Sequence, residues 1–154
     1  MEVTPPDEQC PDTVLAYHQR TKHHLHRYAV GPAGLDWASQ PDPFRSFSGS
    51  PQLALPLLAD ALQSPYADLY KPGKIARQAL TLPNIAVLFE LSFGLSAWKQ
   101  YGSARWALRC NPSSGNLHPT EAYAVIAGCD GIEDGVHHYV SRDHVFEQRC
   151  YVDR

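Results

Sequence analysis

One loop in the second half of the sequence carries residue types that could bind a flat, polar ligand. Between Arg109 and Tyr123 it offers a cation, hydroxyl groups, a carboxamide, an imidazole, a proline and a glycine. Glycine lets a ligand approach the backbone closely, and proline restricts the backbone beside it. Such a set suits the polar edge of a heteroaromatic ring, or a phosphate if backbone N–H groups converge there. Composition alone favours the simpler alternative, an ordinary polar turn before a strand.

The order of these residues is more specific than their types. Residues 112–123 read Pro-Ser-Ser-Gly-Asn-Leu-His-Pro-Thr-Glu-Ala-Tyr. The first part resembles the loop of nitroreductase-like flavoproteins that lies against FMN, commonly Pro-Ser-x-x-Asn-x-Gln-Pro. The His-Pro-x-Glu-x-Tyr continuation is similar to that of the SagB-type dehydrogenases. This branch is best known for oxidising azoline rings to azoles in ribosomal peptide natural products.

Other segments extend the resemblance. Residues 135–147 are similar to the Gly-Val-x-His-Tyr hairpin of the SagB-type branch, which ends in the pattern His-x-x-Glu. Residues 82–96 resemble the helix that precedes the FMN loop, so the motifs follow one another in the family's order. Three earlier segments resemble the N-terminal region of long SagB-type proteins, which contain two nitroreductase-like copies. These segments are residues 17–23, 34–38 and 40–45.

The resemblance implies an FMN-dependent oxidoreductase that works by two-step hydride transfer through the flavin. The implied partners are a small-molecule or peptide substrate and a second nitroreductase-like copy, in a homodimer or in the same full-length chain. The serines and the asparagine of the loop would contact the ring or the ribityl chain, while the proline and the glycine shape the loop. Its arginine and histidine would supply charge or brace the loop, and no catalytic acid or base is assigned. The implied cofactor-binding residues are Arg109, Pro112, Ser113, Ser114, Gly115, Asn116 and His118.

The phosphate-binding arginines of the wider family have no counterpart in this sequence. Family members usually carry an Arg-Arg-Ser-x-Arg cluster before the first helix, whereas residues 71–77 read Lys-Pro-Gly-Lys-Ile-Ala-Arg. Arginine suits phosphate because it makes paired, charge-assisted hydrogen bonds. Either these cations substitute for the cluster, or phosphate binding is weakened or lost. Loss would favour a degenerate, non-catalytic module that pairs with a competent copy. A third interpretation, a truncated product that is inactive alone, rests on the chain stopping at its last predicted strand.

The surrounding sequence predicts the elements that would position the loop. Apolar residues at helical spacing predict a helix that Thr81 caps and that runs to about residue 96. A strand over residues 121–127 and a hairpin of residues 135–140 and 144–152 follow, joined by a polar turn. Earlier residues predict a helix over 12–27 that Asp12 caps, an irregular arm over 28–51 and a short buried helix over 53–62.

These elements predict an α+β fold of the nitroreductase type, with helices packed on an antiparallel sheet. We expect an N-terminal arm and helices over residues 1–79, and the first part of an FMN domain over residues 80–154. Trp98, Tyr101 and Trp106 are expected in the core or at an interface. Of His137 and His138, at most one should face any pocket, because strand side chains alternate.

Charge and composition exclude several other classes of function. The net charge of −3 provides no basic surface for nucleic acid or an anionic membrane. The N-terminus does not have the pattern of a signal peptide, and no stretch is apolar enough to span a bilayer, so a cytoplasmic protein with reduced thiols is expected. Cys110 is expected to be a buried, inert thiol. The histidine-rich run over residues 18–26 does not have the spacing of a zinc site and is expected to be a solvated basic face.

Overall fold

A computed structural model describes residues 10–31, 34 and 36–152 of the chain. The chain forms two compact units, Met1–Pro41 and Asp42–Arg154. The candidate loop and its neighbours lie in the second unit. None of the helices in the described part of the chain is long and apolar enough to cross a membrane.

The first unit contains the helix α1, Cys10–Thr21, and a short 3-10 turn over Trp37–Ser39. The predicted helix over residues 12–27 is therefore wrong in its second half. Its backbone turns back instead, because the amides of His24 and Arg27 each donate to the carbonyl of the other. Asp12 lies in the first turn of α1 rather than at its cap.

The second unit is built on a four-stranded antiparallel sheet. The elements of this unit are β1 Gln52–Ala54, α2 Leu82–Phe93, β2 Leu95–Tyr101, β3 Ala104–Arg109, β4 Ala122–Ile126, β5 Gly135–Val140 and β6 Val145–Tyr151. The order of the strands across the sheet is β1-β6-β5-β4. The predicted β5–β6 hairpin is confirmed, as is the predicted strand before it.

Strand register decides which side chains meet the helix. Tyr139 pairs with Phe146, and Phe146 pairs with Leu53, so these three share one face of the sheet. That face packs on α2, where the ring of Phe89 lies 4.8 Å from the ring of Phe146 and 5.1 Å from that of Tyr139, centroid to centroid. Burying each such aromatic side chain contributes about 1.5–3 kcal/mol. The α+β architecture, with a helix on an antiparallel sheet, is as predicted.

Helix α2 begins after Thr81 as predicted, although the Thr81 side chain makes no capping hydrogen bond, and it ends at Phe93, before residue 96. The N–H of Gly94 donates to the carbonyl of Glu90, and a Cβ at residue 94 would lie 2.2 Å from that oxygen. From Leu95 the chain is extended and pairs with β3. The helical spacing of apolar residues therefore predicts helix wrongly beyond Phe93. These residues belong to a hairpin whose turn lies at Gly102 and Ser103. On this hairpin Tyr101 is 84% exposed, so it is not a core residue.

The short buried helix predicted over residues 53–62 is also wrong. Strand β1 occupies its start, and only a 3-10 turn, Ala59–Ala61, follows. Pro56 explains the difference, since it has no N–H to donate and disfavours helical geometry at Leu55. Leu55 is buried in extended backbone, and its N–H donates to the carbonyl of His144.

Candidate functional site

The candidate loop joins β3 to β4 and has an unusual backbone. Three of its residues have positive φ angles, 65° at Gly115, 57° at Asn116 and 48° at His118. Glycine adopts this left-handed region freely and asparagine tolerates it, whereas a histidine there is uncommon. The sequence therefore carries its glycine and asparagine where the chain turns most sharply.

Hydrogen bonds within the loop fix this shape. The Oγ of Ser113 accepts the backbone N–H of His118 at 2.9 Å. The Oδ1 of Asn116 lies 2.8 Å from Nε2 of His118, and the N–H of Asn116 donates to the carbonyl of Ser113 at 3.1 Å. His118 is 6% exposed, so the imidazole is an internal brace rather than a surface group.

The outer side of the loop consists of Pro112, Ser114 and Gly115, which are exposed. A Cβ at residue 115 would meet only the side chain of Leu117, at 3.6 Å. A flat ligand can therefore approach the backbone here, next to the hydroxyl of Ser114. The same loop thus presents one braced side and one open side.

Burial lowers the pKa of His118, and the nearby positive charge of Arg109 lowers it further, while a hydrogen bond to the backbone of Ala107 opposes both. The imidazole therefore favours the neutral form near pH 7. A neutral ring at this position leaves Arg109 as the cation beside the loop.

Arg109, the last residue of β3, is half-buried and lies against the segment Pro43–Phe44. Its Nη2 donates to the carbonyl of Pro43, and its guanidinium carbon lies 4.9 Å from the centroid of the Phe44 ring. Burial lowers the pKa of Arg109, while Tyr139, Asp42 and Glu121 raise it. Among the described residues no carboxylate forms an ion pair with Arg109. The site thus holds a partly desolvated cation without a close anion.

A small cavity of about 20 Å³ adjoins this guanidinium. Arg109, Asn111 and Ser141 line it, and Nε of Arg109, Oδ1 of Asn111 and Oγ of Ser141 are buried there without a protein partner. The set combines donors with an acceptor, and the cavity has about the size of one water molecule. It has no room for a ring, so a flat ligand would have to bind on the open side of the loop.

The motif residues of the resemblance form a second cluster on the sheet face opposite the core. His138 and Glu147 are buried, and Nδ1 of His138 lies 3.1 Å from Oε2 of Glu147. Nε2 of His138 lies 3.9 Å from Oε2 of Glu121, which accepts the hydroxyl of Tyr123 at 2.8 Å. Burial and the Glu121 carboxylate raise the pKa of Tyr123, so its hydroxyl keeps its proton at neutral pH. Two separate sequence motifs thus meet in one network.

A larger cavity lies elsewhere, near the start of β5. It has a volume of about 1030 Å³, and His137, Gln148 and Glu133 are among its lining residues. Nε2 of His137 bonds the carbonyl of Glu133 at 2.8 Å. His137 lines this cavity and His138 lines the small one beside Arg109. Each cavity thus has one of the two histidines, as the alternation of strand side chains predicts.

The structure places Arg109 close enough to His118 of the loop for its charge to affect the imidazole, whereas another expectation from the sequence is wrong. Cys110 is exposed rather than buried, because it follows the end of β3 at the edge of the unit. The cations of residues 71–77 lie in exposed, irregular backbone, and Nζ of Lys71 pairs with Asp68 at 2.7 Å. In the described part of the chain there is no group of three or more His, Cys, Asp or Glu side chains that could hold a metal ion.

Sequence reasoning missed the contribution of Pro43, Phe44, Asn111 and Ser141 to the surroundings of Arg109. Phe44 is 9% exposed although it lies in a segment rich in turn residues. The one signal in the sequence for the burial of Phe44 was an aromatic side chain between Pro43 and Arg45. Hydrophobic periodicity cannot detect a single residue of this kind.

Comparisons with known proteins support the fold more than the site. No protein-family model and no curated protein matches the sequence. A solved structure of a candidate nitroreductase from Anabaena variabilis is similar, with a TM-score of 0.60 and 25% sequence identity over 90% of this chain. The match covers 26% of that protein, so this chain spans about a quarter of its length. The chain therefore has a nitroreductase-like α+β fold over part of such a protein.

Proposed function

We propose that this chain is part of an FMN-dependent oxidoreductase of the nitroreductase superfamily, of the SagB type. The flavin would lie against the open side of the loop between β3 and β4. Residues 80–154 would form the first part of the flavin domain, and residues 1–79 its N-terminal arm and helices. The substrate would be a small molecule or a peptide, in the cytoplasm. A second nitroreductase-like copy would complete the site.

The observation that carries this proposal is the half-buried guanidinium of Arg109, whose positive charge acts on His118 of the loop. A half-buried guanidinium without a close anion is unfavourable by itself, because burial penalises the charge. An anionic or strongly polar ligand beside the loop would offset that penalty. The loop next to it has an open glycine and an exposed hydroxyl, which suit a flat ring.

These residues fit the polar groups of FMN. Arg109 can donate charge-assisted hydrogen bonds to a carbonyl or phosphate oxygen. Ser114 can donate and accept at the surface, and Gly115 leaves room for a ring. Ser113, Asn116 and His118 would hold the loop in shape from behind, while Pro112 restricts its entry. The hydrogen bond from Arg109 to the carbonyl of Pro43 also anchors the cation.

When bound, FMN supplies the redox chemistry, since flavins accept and release electrons that side chains cannot. The chain's own residues bind it, orient it and keep a positive charge beside its polar edge. Because burial keeps His118 neutral, that charge comes from Arg109. In this proposal the phosphate is bound by Lys71, Lys74 and Arg77. Their exposed cations substitute for the family's arginine cluster.

Binding of FMN to the chain tests the proposal. Flavin fluorescence quenching should give an affinity about tenfold lower for Arg109→Gln than for the unchanged chain, since a hydrogen bond to a charged group contributes about 1.5–3 kcal/mol. Arg20→Gln is the matched control, because Arg20 is exposed on α1 in the first unit. Equal affinities for both variants would contradict the assignment of Arg109.

The alternative is a non-catalytic nitroreductase-like module that pairs with a competent copy. The exposed position of residues 71–77, with Lys71 held by Asp68, favours it. If the chain is such a module, it either binds no measurable FMN or binds it with an affinity that Lys74→Ala and Arg77→Ala leave unchanged. If these two cations bind the FMN phosphate, each substitution lowers the affinity for FMN. Quenching of added FMN by the unchanged chain separates the two functions.

A further inference from the structure

We propose that the buried pair His138–Glu147 positions Arg109, by holding residues 43–52 in register on the sheet. This inference deepens the proposed function, because Arg109 is the cation assigned to the flavin. Its geometric basis, however, is independent of any ligand.

Glu147 is the centre of the arrangement. It is 1% exposed, and its carboxylate accepts three hydrogen bonds, from the N–H of Phe47 at 3.0 Å, from Nε2 of Gln52 at 3.3 Å and from Nδ1 of His138 at 3.1 Å. A buried carboxylate is tolerated only when donors compensate it. Two of its donors belong to the segment before and within β1, 95 to 100 residues away in sequence.

The aromatic ring of Phe47 reinforces the attachment. It meets the His138 ring edge to face at 5.1 Å, and the guanidinium carbon of Arg149 lies 3.6 Å from its centroid. On the same side, Arg45 donates to Oε1 of Glu121 at 3.2 Å. Each of these contacts joins the segment to the sheet face opposite the core.

The segment leads directly to Arg109. Only two residues separate Phe47 from Phe44, which lies at the guanidinium. A shift at Phe47 must therefore be absorbed within this short stretch or be passed on to Arg109. The carbonyl of Pro43 accepts from Arg109, and the ring of Phe44 lies beneath it. Fixing Phe47 therefore limits where the guanidinium of Arg109 can lie.

A merely structural role would not require charge at this position. Apolar side chains often replace a buried ion pair without loss of stability. They cannot accept the backbone N–H of Phe47, which fixes register. The pair is thus suited to positioning the segment rather than only to stabilising the sheet.

The test is the rate at which Arg109 in the purified chain reacts with phenylglyoxal, measured by peptide mass spectrometry. We expect Glu147→Leu and the double variant His138→Leu/Glu147→Leu to react about tenfold faster at Arg109 than the unchanged chain, which corresponds to about 1.4 kcal/mol. Exposed Arg77 provides the internal reference. His138→Asn should keep the slow rate, since its side-chain N–H can replace Nδ1 as the donor to Glu147.

Two further variants keep the outcome decisive. Tyr123→Phe removes the hydroxyl that donates to Glu121 and leaves Glu147 untouched, so the rate at Arg109 should not change. Gln52→Ala removes one donor at an exposed residue, and it replaces Glu147→Leu as the test if that variant fails to fold. In each variant, amide hydrogen exchange at Phe47 reports whether the segment has been released.

Faster exchange at Phe47 with an unchanged rate at Arg109 would overturn the inference, and so would unchanged exchange. The FMN affinity of the same variants should fall in parallel with the rise in Arg109 reactivity. If the unchanged chain does not bind FMN but Arg109 responds, the proposed function fails and the positioning role stands. If FMN binds but Arg109 does not respond, the positioning role fails alone.

Discussion

The side-chain oxygen of Ser113 accepts the backbone N–H of His118 at 2.9 Å and so closes the loop between β3 and β4. This bond compensates a buried N–H at a residue whose φ angle is 48°. The shape of the candidate site therefore depends on a hydroxyl that faces inward. Its neighbour, Ser114, faces outward and is exposed.

Ser113→Ala should lower the free energy of unfolding by about 1–3 kcal/mol, because the N–H of His118 loses its partner. Ser114→Ala is the matched control and should leave unfolding nearly unchanged while weakening FMN binding. Urea unfolding of both variants checks the difference. Equal stability of the two would show that the inner bond does not hold the loop.

Gly115→Ala should destabilise the chain by about 1–2 kcal/mol, the cost of a left-handed backbone for a residue with a Cβ. Space is not the reason, since the added Cβ would lie 3.6 Å from the nearest atom. Gly31→Ala, in open surroundings, is the control. Thermal unfolding should separate the two variants, and a neutral Gly115→Ala would mean that this backbone is not required.

Stability should decrease as the pH falls below about 6.5, the ordinary pKa of histidine, through the contribution of His118. The pKa of His118 is lower in the folded chain than in the unfolded chain, so the unfolded chain binds the proton at a higher pH. Binding of this proton therefore stabilises the unfolded chain relative to the folded chain. The contribution is complete above this pH and is lost as the pH falls towards the lowered value. His118→Gln should flatten this part of the curve of unfolding free energy against pH, and identical curves would contradict the lowered pKa.

The sequence predicted the elements whose signals are local. The β5–β6 hairpin follows from a polar turn between apolar strands, and the start of α2 follows from Thr81 and Pro83. Leu95 and Trp98 were misassigned because their spacing fits the apolar stripe of α2 as well as a strand. No local pattern could show that Phe47 bonds Glu147, 100 residues later, since tertiary contacts of this kind depend on register.

The chain should self-associate through apolar side chains that α2 leaves exposed. Leu88 is 57% exposed and Leu91 is 55% exposed. Exposed apolar patches on helices commonly mark interfaces or aggregation sites. Size-exclusion chromatography should show larger species that Leu88→Lys/Leu91→Lys reduces. Tyr101→Lys, on the β2–β3 hairpin, is the control, and a monodisperse monomer of the unchanged chain would contradict the prediction.

The flavin content of the protein, isolated at the length at which the cell makes it, tests the central claim most directly. We expect non-covalently bound FMN, released on denaturation and identified by its absorbance and mass. Replacing Ser113 and Ser114 together by bulky residues should lower that content, because the loop would no longer fit the ring. A folded protein that carries no FMN and takes none up would contradict the assignment of this loop as a flavin site.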